Sequence, residues 1–259
     1  MSIRIQYGSS DDVIIDAIIR EHLSADALVV MLHGINSDKN EEGFFINLSN
    51  ALDYQKFNIL RFDFRGHGNS TCPNGYMTIQ GESNDFLNAL MFMRKRWGNK
   101  PIIIIAASFG AVPVLNTVTH LPLYPVIGIV LINPVLDLQK TFLYPCYDWP
   151  KLSFNENSYR HLNDDGYFRL DGKIKIGKQL FREIQKMKPY EELSKIRVPV
   201  LMIHGDSDHY VSYDISKKYS ANLKTCDFVT ISGADHGFDN PKDELMVVNI
   251  IKNWISSRF

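Results

Sequence analysis

Residues 101–113 read PIIIIAASFGAVP, four isoleucines running into a turn of small residues that carries one serine. An unbroken β-branched run, apolar at every position, is the pattern of a strand covered on both faces. Such strands belong to parallel sheets with helices packed above and below. The run stops at Ala106-Ala107-Ser108-Phe109-Gly110, and residues 109–119 then take up a helical pattern. Strand, sharp turn and helix in that order would lift Ser108 clear of the sheet edge, as a nucleophile elbow does. The crowding of such a turn demands small neighbours. Gly110 meets the demand fully, and Ala106 adds one methyl group where glycine is usual. Alone, Ala-x-Ser-x-Gly is a weak signal, because serine among alanines is common in buried helices.

The same kind of apolar run recurs along the chain. Residues 27–32, 58–64, 127–132, 199–203 and 227–231 read as further strands, and residues 3–7 and 13–19 as an antiparallel hairpin. Helical patterns fall between them at residues 43–54, 78–97, 109–119, 213–223 and 241–256. The alternation predicts one α/β domain over residues 1–259: an eight-stranded, mostly parallel sheet with helices on both faces. One segment breaks the rhythm. About 65 residues separate the strand ending near residue 133 from the one starting near residue 199, far more than an ordinary crossover needs. Its first half is dense in aromatics and turn formers, and its second half reads as a short strand followed by a helix. It leaves the sheet at the carboxyl edge, where open α/β sheets bind ligands, so residues 135–190 are expected to form a lid after the sixth strand.

Composition excludes more than it identifies. A net charge of -1 offers no electrostatic attraction for nucleic acid or an anionic membrane. The apolar runs are strand-length, so no membrane span is expected, and no basic segment precedes an apolar one near the N-terminus, so neither is a signal peptide. Cys72, Cys146 and Cys226 are odd in number and widely spaced. That argues against a disulfide framework or a zinc site and suits a cytoplasmic protein. No histidine–carboxylate spacing suggests a metal, and no glycine-rich phosphate loop suggests a nucleotide cofactor.

A serine hydroxyl needs an imidazole to take its proton, and the imidazole needs a carboxylate to hold its tautomer. The loop LMIHGDSDHYVS supplies Asp206 and Asp208 after the seventh strand of the sheet, and TISGADHGF supplies His236 after the eighth. Ser108, Asp208 and His236 thus each follow the carboxyl end of a strand, in the chain order of an α/β-hydrolase triad. Asp208 is preferred because it sits further out on its loop, while Asp206 at the strand end is expected to cap the turn. The backbone N–H groups of Ile35 and Phe109 are the expected oxyanion donors. Asp63, Arg65, His67 and Ser70 are expected to shape the loop after the fourth strand, and His33 to be a satisfied strand-end histidine. His209 is expected at the surface. Tyr144, Trp149 and Tyr167, among the aromatics of the insertion, are expected to contact substrate.

The segments LHGIN, RFDFRGHGNS, AASFG, IHGDSD and GADHGF together resemble the α/β-hydrolase superfamily, in the expected order over nearly the whole chain. Within it the chain is most similar to small bacterial feruloyl/cinnamoyl esterases and serine-aminopeptidase-like hydrolases. The resemblance implies the α/β-hydrolase fold with a lid, Ser108 as nucleophile, His236 as base, Asp208 as acid, and oxyanion donors at Ile35 and Phe109. It implies a serine esterase without cofactor that cleaves a carboxylic ester of a small or medium acyl group through an acyl-enzyme. The expected partner is a small-molecule ester or thioester, and a homodimer is left open. Two other readings stand beside it: a thioesterase or acyltransferase acting on a carrier-bound acyl group, and a non-catalytic binding protein.

Overall fold

The computed structural model describes residues 2–9, 11–53, 56–72, 75–120 and 124–259. Its strands are β1 (Ser2–Gly8), β2 (Ile14–Arg20), β3 (Leu28–Leu32), β4 (Asn58–Phe62), β5 (Ile102–Ala107), β6 (Val126–Ile132), β7 (Tyr167–Leu170), β8 (Ile174–Gly177), β9 (Val200–Gly205) and β10 (Cys226–Ile231). Eight of them make one sheet in the order β1-β2-β4-β3-β5-β6-β9-β10. The first hairpin and the β2–β4 pair are antiparallel, and the remaining pairs are parallel.

The four isoleucines lie on β5, between β3 and β6. Alternate side chains along it enter different layers. Ile102, Ile104 and Ala106 pack with Phe86 and Leu90 of α2 (Ile79–Trp97) and with Val114 and Leu115 of α3 (Ala111–Val118). Ile103, Ile105 and Ala107 pack on the other face with Phe45 and Leu48 of α1 (Phe44–Ala51) and with the C-terminal helix Pro241–Arg258, whose Val247 and Ile251 point inward. Each fully buried isoleucine contributes about 1.5–3 kcal/mol of burial free energy. Two covered faces are why the run never alternates.

The helix expected over residues 43–54 starts at Phe44, and its expected end at Tyr54 lies outside the described residues. The helix expected from residue 109 divides into a 3-10 turn, Ser108–Gly110, and α3.

Between β6 and β9 the chain builds a separate layer. A π-helical turn (Gln139–Leu143) leads to α4 (Trp149–Ser153), α5 (Glu156–Asp164), the β7–β8 hairpin, α6 (Lys178–Lys186) and α7 (Pro189–Leu193). The strand and helix read from the second half are β8 and α6. The helices of the first half escaped the sequence reading, although Asn155 caps α5 by accepting a hydrogen bond from the Ser158 amide. This layer has its own core, in which Phe142, Phe154, Phe168, Leu180 and Ile184 pack down onto Ile35 and Phe109. The remaining helix, α8 (Tyr213–Ser220), precedes β10, and Pro241–Arg258 is α9.

Candidate active site

Ser108 follows β5 with a backbone φ of 50°, a left-handed conformation that costs a non-glycine residue of order 1–3 kcal/mol. Neighbouring elements hold it there. The Ser108 carbonyl accepts from the Val135 amide at 3.1 Å. A Cβ on Gly110 would stand 2.6 Å from the carbonyl oxygens of Leu32 and His33, so the turn requires glycine at that position. Ala106 instead points into the sheet core and is fully buried. The methyl group at the unusual position therefore packs rather than obstructs.

His236 lies in the loop after β10, with Nε2 3.0 Å from Ser108 Oγ and Nδ1 2.6 Å from Asp208 Oδ2. The second oxygen of Asp208 accepts the amides of Tyr210 and Val211 at 2.7 and 2.9 Å. Burial alone would raise the Asp208 pKa, but hydrogen bonds from His204 and His236 outweigh it and hold the carboxyl well below the usual carboxylate range. Asp208 therefore stays charged, and its oxygen fixes the imidazole proton on Nδ1 and leaves Nε2 free to accept from the serine. The structure thus brings Ser108, His236 and Asp208 together in the order the chemistry of a nucleophilic serine requires. Among the described residues the Asp206 carboxylate has no donor within its own turn. It accepts from Gly233 N and Ser232 Oγ, and so ties the β9 loop to the loop that carries His236.

Ile35 and Phe109 both line the cavity over Ser108. Among the described residues neither amide has an acceptor within the protein. The neighbouring Gly34 amide is already committed, donating to Glu41 Oε2 at 2.8 Å. The loop that carries Ile35 is pinned from behind by His67, whose Nε2 lies 2.6 Å from the Ile35 carbonyl oxygen. His33 is buried, with Nδ1 facing the Gly34 carbonyl and Nε2 accepting from the Phe64 amide. Asp63 accepts from Lys39 and Asn69, Ser70 Oγ donates to the Asp63 carbonyl, and Arg65 pairs with Asp85 and Asp11. These residues hold the loops in place, as expected, and His209 is exposed.

The cavity has a volume of about 360 Å³. Phe109, Val135, Phe142, Trp149 and Val211 form its apolar wall, while Glu41, Glu42, Asp171 and Asp239 lie on its polar side. Of the three aromatics expected to touch substrate, only Trp149 lines it, anchored by Nε1 donating to the Tyr210 carbonyl at 3.0 Å. Tyr144 does not: 77% exposed, it flanks a separate recess beside Lys188, Tyr190 and Tyr219. Nor does Tyr167, whose ring packs on Tyr76 and holds the Lys175 ammonium 4.8 Å from its centre.

Several residues at the site went unread in the sequence. Tyr210 stacks obliquely on His236 at 5.5 Å, and its place two residues after Asp208 could have pointed to it. Asn133 accepts from the Gly205 amide and donates to the His236 carbonyl, so one side chain joins the ends of β6 and β9 to the histidine loop. Glu41 sits in a left-handed stretch, Glu41-Glu42-Gly43, with φ of 45°, 53° and 106°. Burial pushes its carboxyl up to about 7, against the lowering effects of the Gly34 amide and His236. No sequence signal marks Asn133 or Glu41.

The sheet order, the strained serine turn and the loops converging on it define the α/β-hydrolase fold. The chain belongs to the family described as serine aminopeptidase, S33 (Hydrolase_4), which matches residues 24–242. The fold is shared with Est1E of Butyrivibrio proteoclasticus, solved with ferulic acid bound, at a TM-score of 0.81 and 20% identity over 98% of both chains. The mouse α/β-hydrolase domain-containing protein 10 superposes with a TM-score of 0.75 at 16% identity, over 98% of this chain and 99% of that one. Among curated proteins, the lysophosphatidylserine lipase ABHD12 of Danio rerio is 24% identical over 197 residues, 75% of this chain and 47% of its own length. The chain spans about half the length of the ABHD12 relatives it matches. A bifunctional esterase/perhydrolase of Acinetobacter calcoaceticus is 42% identical over 60 residues, 23% of this chain and 21% of its own length. Among the described residues no helix is long and apolar enough to cross a membrane.

Proposed function

We propose that the protein is a serine esterase that cleaves a carboxylic ester of a small or medium acyl group through an acyl-enzyme. The observation that carries this reading is the continuous chain of contacts Ser108 Oγ–His236 Nε2 and His236 Nδ1–Asp208 Oδ2, at 3.0 and 2.6 Å. Ser108 Oγ attacks the ester carbonyl carbon while its proton passes to His236 Nε2. The carbonyl oxygen takes up the charge and is met by the amides of Ile35 and Phe109. Collapse expels the alcohol, which receives the proton from His236, and the acyl group stays on Ser108. Water, deprotonated by the same imidazole, then releases the acid and restores the serine.

The apolar wall suits the acyl chain, with Trp149 as the aromatic contact. Residues 135–190 act as a lid in one catalytic unit with the sheet. Curated relatives named as an esterase/perhydrolase and a lipase support ester substrates, and three unpaired cysteines among the described residues support a cytoplasmic setting. A thioesterase or acyltransferase would use the same three residues. Comparing aryl esters with acyl thioesters, with and without added alcohol acceptors, separates these activities. The reading is tested by Ser108→Ala, which abolishes turnover of a short-chain p-nitrophenyl ester with the fold intact. Undiminished turnover would refute it.

A further inference from the structure

Asp208 has more partners than the orientation of one imidazole requires. Its Oδ2 receives His204 Nε2 at 3.1 Å as well as His236 Nδ1 at 2.6 Å. With the Tyr210 and Val211 amides on Oδ1, four donors fill its four acceptor positions. His204 lies on β9, and both its side chain and that of Asp208 are closed to solvent. Its Nε2 also faces the Val211 carbonyl oxygen at 3.3 Å. Both neighbours of Nε2 are acceptors, so the ring proton sits there. Nδ1 meets no partner among the described residues, and Tyr213 packs edge-on against the ring at 5.9 Å. The imidazole is thereby fixed as a donor to the same oxygen that serves His236.

We propose that His204 is a positioning residue: its Nε2–H fixes the rotation of the Asp208 carboxylate and draws charge from the oxygen facing His236. The inference rests on the triad reading given above. Charge on Oδ2 stabilises an imidazolium at His236, and a second donor on that oxygen reduces the charge available. Removing the donor strengthens the hold on the imidazolium and moves the acid limb of the activity profile to higher pH. The groups facing the pair are Asp208 and Tyr210 from the β9 loop, Tyr213 from α8, Ser108 after β5, Glu41 from the loop after β3, and Tyr147 from the segment before α4.

The test compares His204→Phe, which fills the space without a donor, with His204→Gln, which can return an N–H to Oδ2. For the phenylalanine variant we expect a loss of about tenfold in kcat/KM, the cost of one hydrogen bond to a charged group, and an acid limb raised by roughly half a pH unit. The glutamine variant recovers most of the activity and returns the limb. A folded phenylalanine variant with an unmoved limb overturns the proposal, whatever its activity. So does a glutamine variant no better than phenylalanine in both readouts. If the phenylalanine variant does not fold, nitrogen NMR of the wild-type His204 ring decides: a proton on Nε2 supports the proposal and a proton on Nδ1 overturns it. That spectrum reads the contact without turnover, so a protein devoid of esterase activity would sink the hydrolase reading and still leave His204 measurable.

Discussion

Ser108 Oγ and His236 Nε2 stand 3.0 Å apart although 128 residues separate them in sequence. Two strand ends on one rim of the sheet bring them there, and Asp208 keeps the imidazole in the tautomer that can accept. Asp208→Asn preserves the shape but exchanges a charged acceptor for an amide. The imidazole then loses both its tautomer lock and its counter-charge, and kcat is expected to fall by about 10³- to 10⁴-fold with KM little changed. Steady-state kinetics on a p-nitrophenyl ester, with circular dichroism as the control for folding, provide the check. A loss below tenfold would show that Asp208 does not orient the base.

The elbow makes opposite predictions at its two small residues. Gly110→Ala drives a methyl group to within 2.6 Å of two carbonyl oxygens and is expected to cost about 1–3 kcal/mol or more, with activity lost as Ser108 shifts. Ala106→Gly removes a buried methyl group from a strand and is expected to cost about 1 kcal/mol while activity remains. Urea unfolding and turnover of the two variants measure both effects.

Trp149→Ala opens the apolar wall of the cavity and is expected to raise KM for an aromatic acyl ester by about tenfold, more than for an acetate. Tyr144→Ala, on a separate recess, is expected to leave both constants unchanged. Equal effects of the two substitutions would contradict the placement of the acyl group.

The backbone of the site was legible in the sequence because it depends on local patterns. The isoleucine run, Gly110 and the spacing of Asp208 and His236 from their strands each report a short-range constraint. The insertion was legible only as an interruption. Which of its aromatics meets the cavity depends on how α4, α5 and the β7–β8 hairpin pack as a layer. Tyr144 and Tyr167 therefore looked equivalent to Trp149 and are not. Asn133 and Glu41 act through contacts with loops distant in sequence, and nothing in their immediate neighbours announces that.

Glu41 predicts a pH dependence of stability. Its carboxyl titrates at about 7 in the folded protein, against an ordinary value of 4.5. Between those values the native state holds more of the proton than the unfolded chain does, so this group's contribution to stability falls as pH rises through the window. Glu41→Gln removes the titration and keeps an acceptor for the Gly34 amide. Relative to wild type, the variant is expected to gain stability from pH 4 to pH 8, by of order 1 kcal/mol after solvent screening of a half-buried group. Thermal melts across that range check it. A flat difference would show that the carboxyl takes up its proton no more readily in the folded protein than in the unfolded chain.

The proposed reaction turns on covalent acylation of Ser108. Treating the protein with a p-nitrophenyl phosphonate and mapping the adduct by peptide mass spectrometry tests it most directly. One phosphonyl group per chain is expected, on Ser108, with p-nitrophenolate release and loss of activity in step. Modification elsewhere, or full loss of activity with Ser108 unmodified, would contradict it.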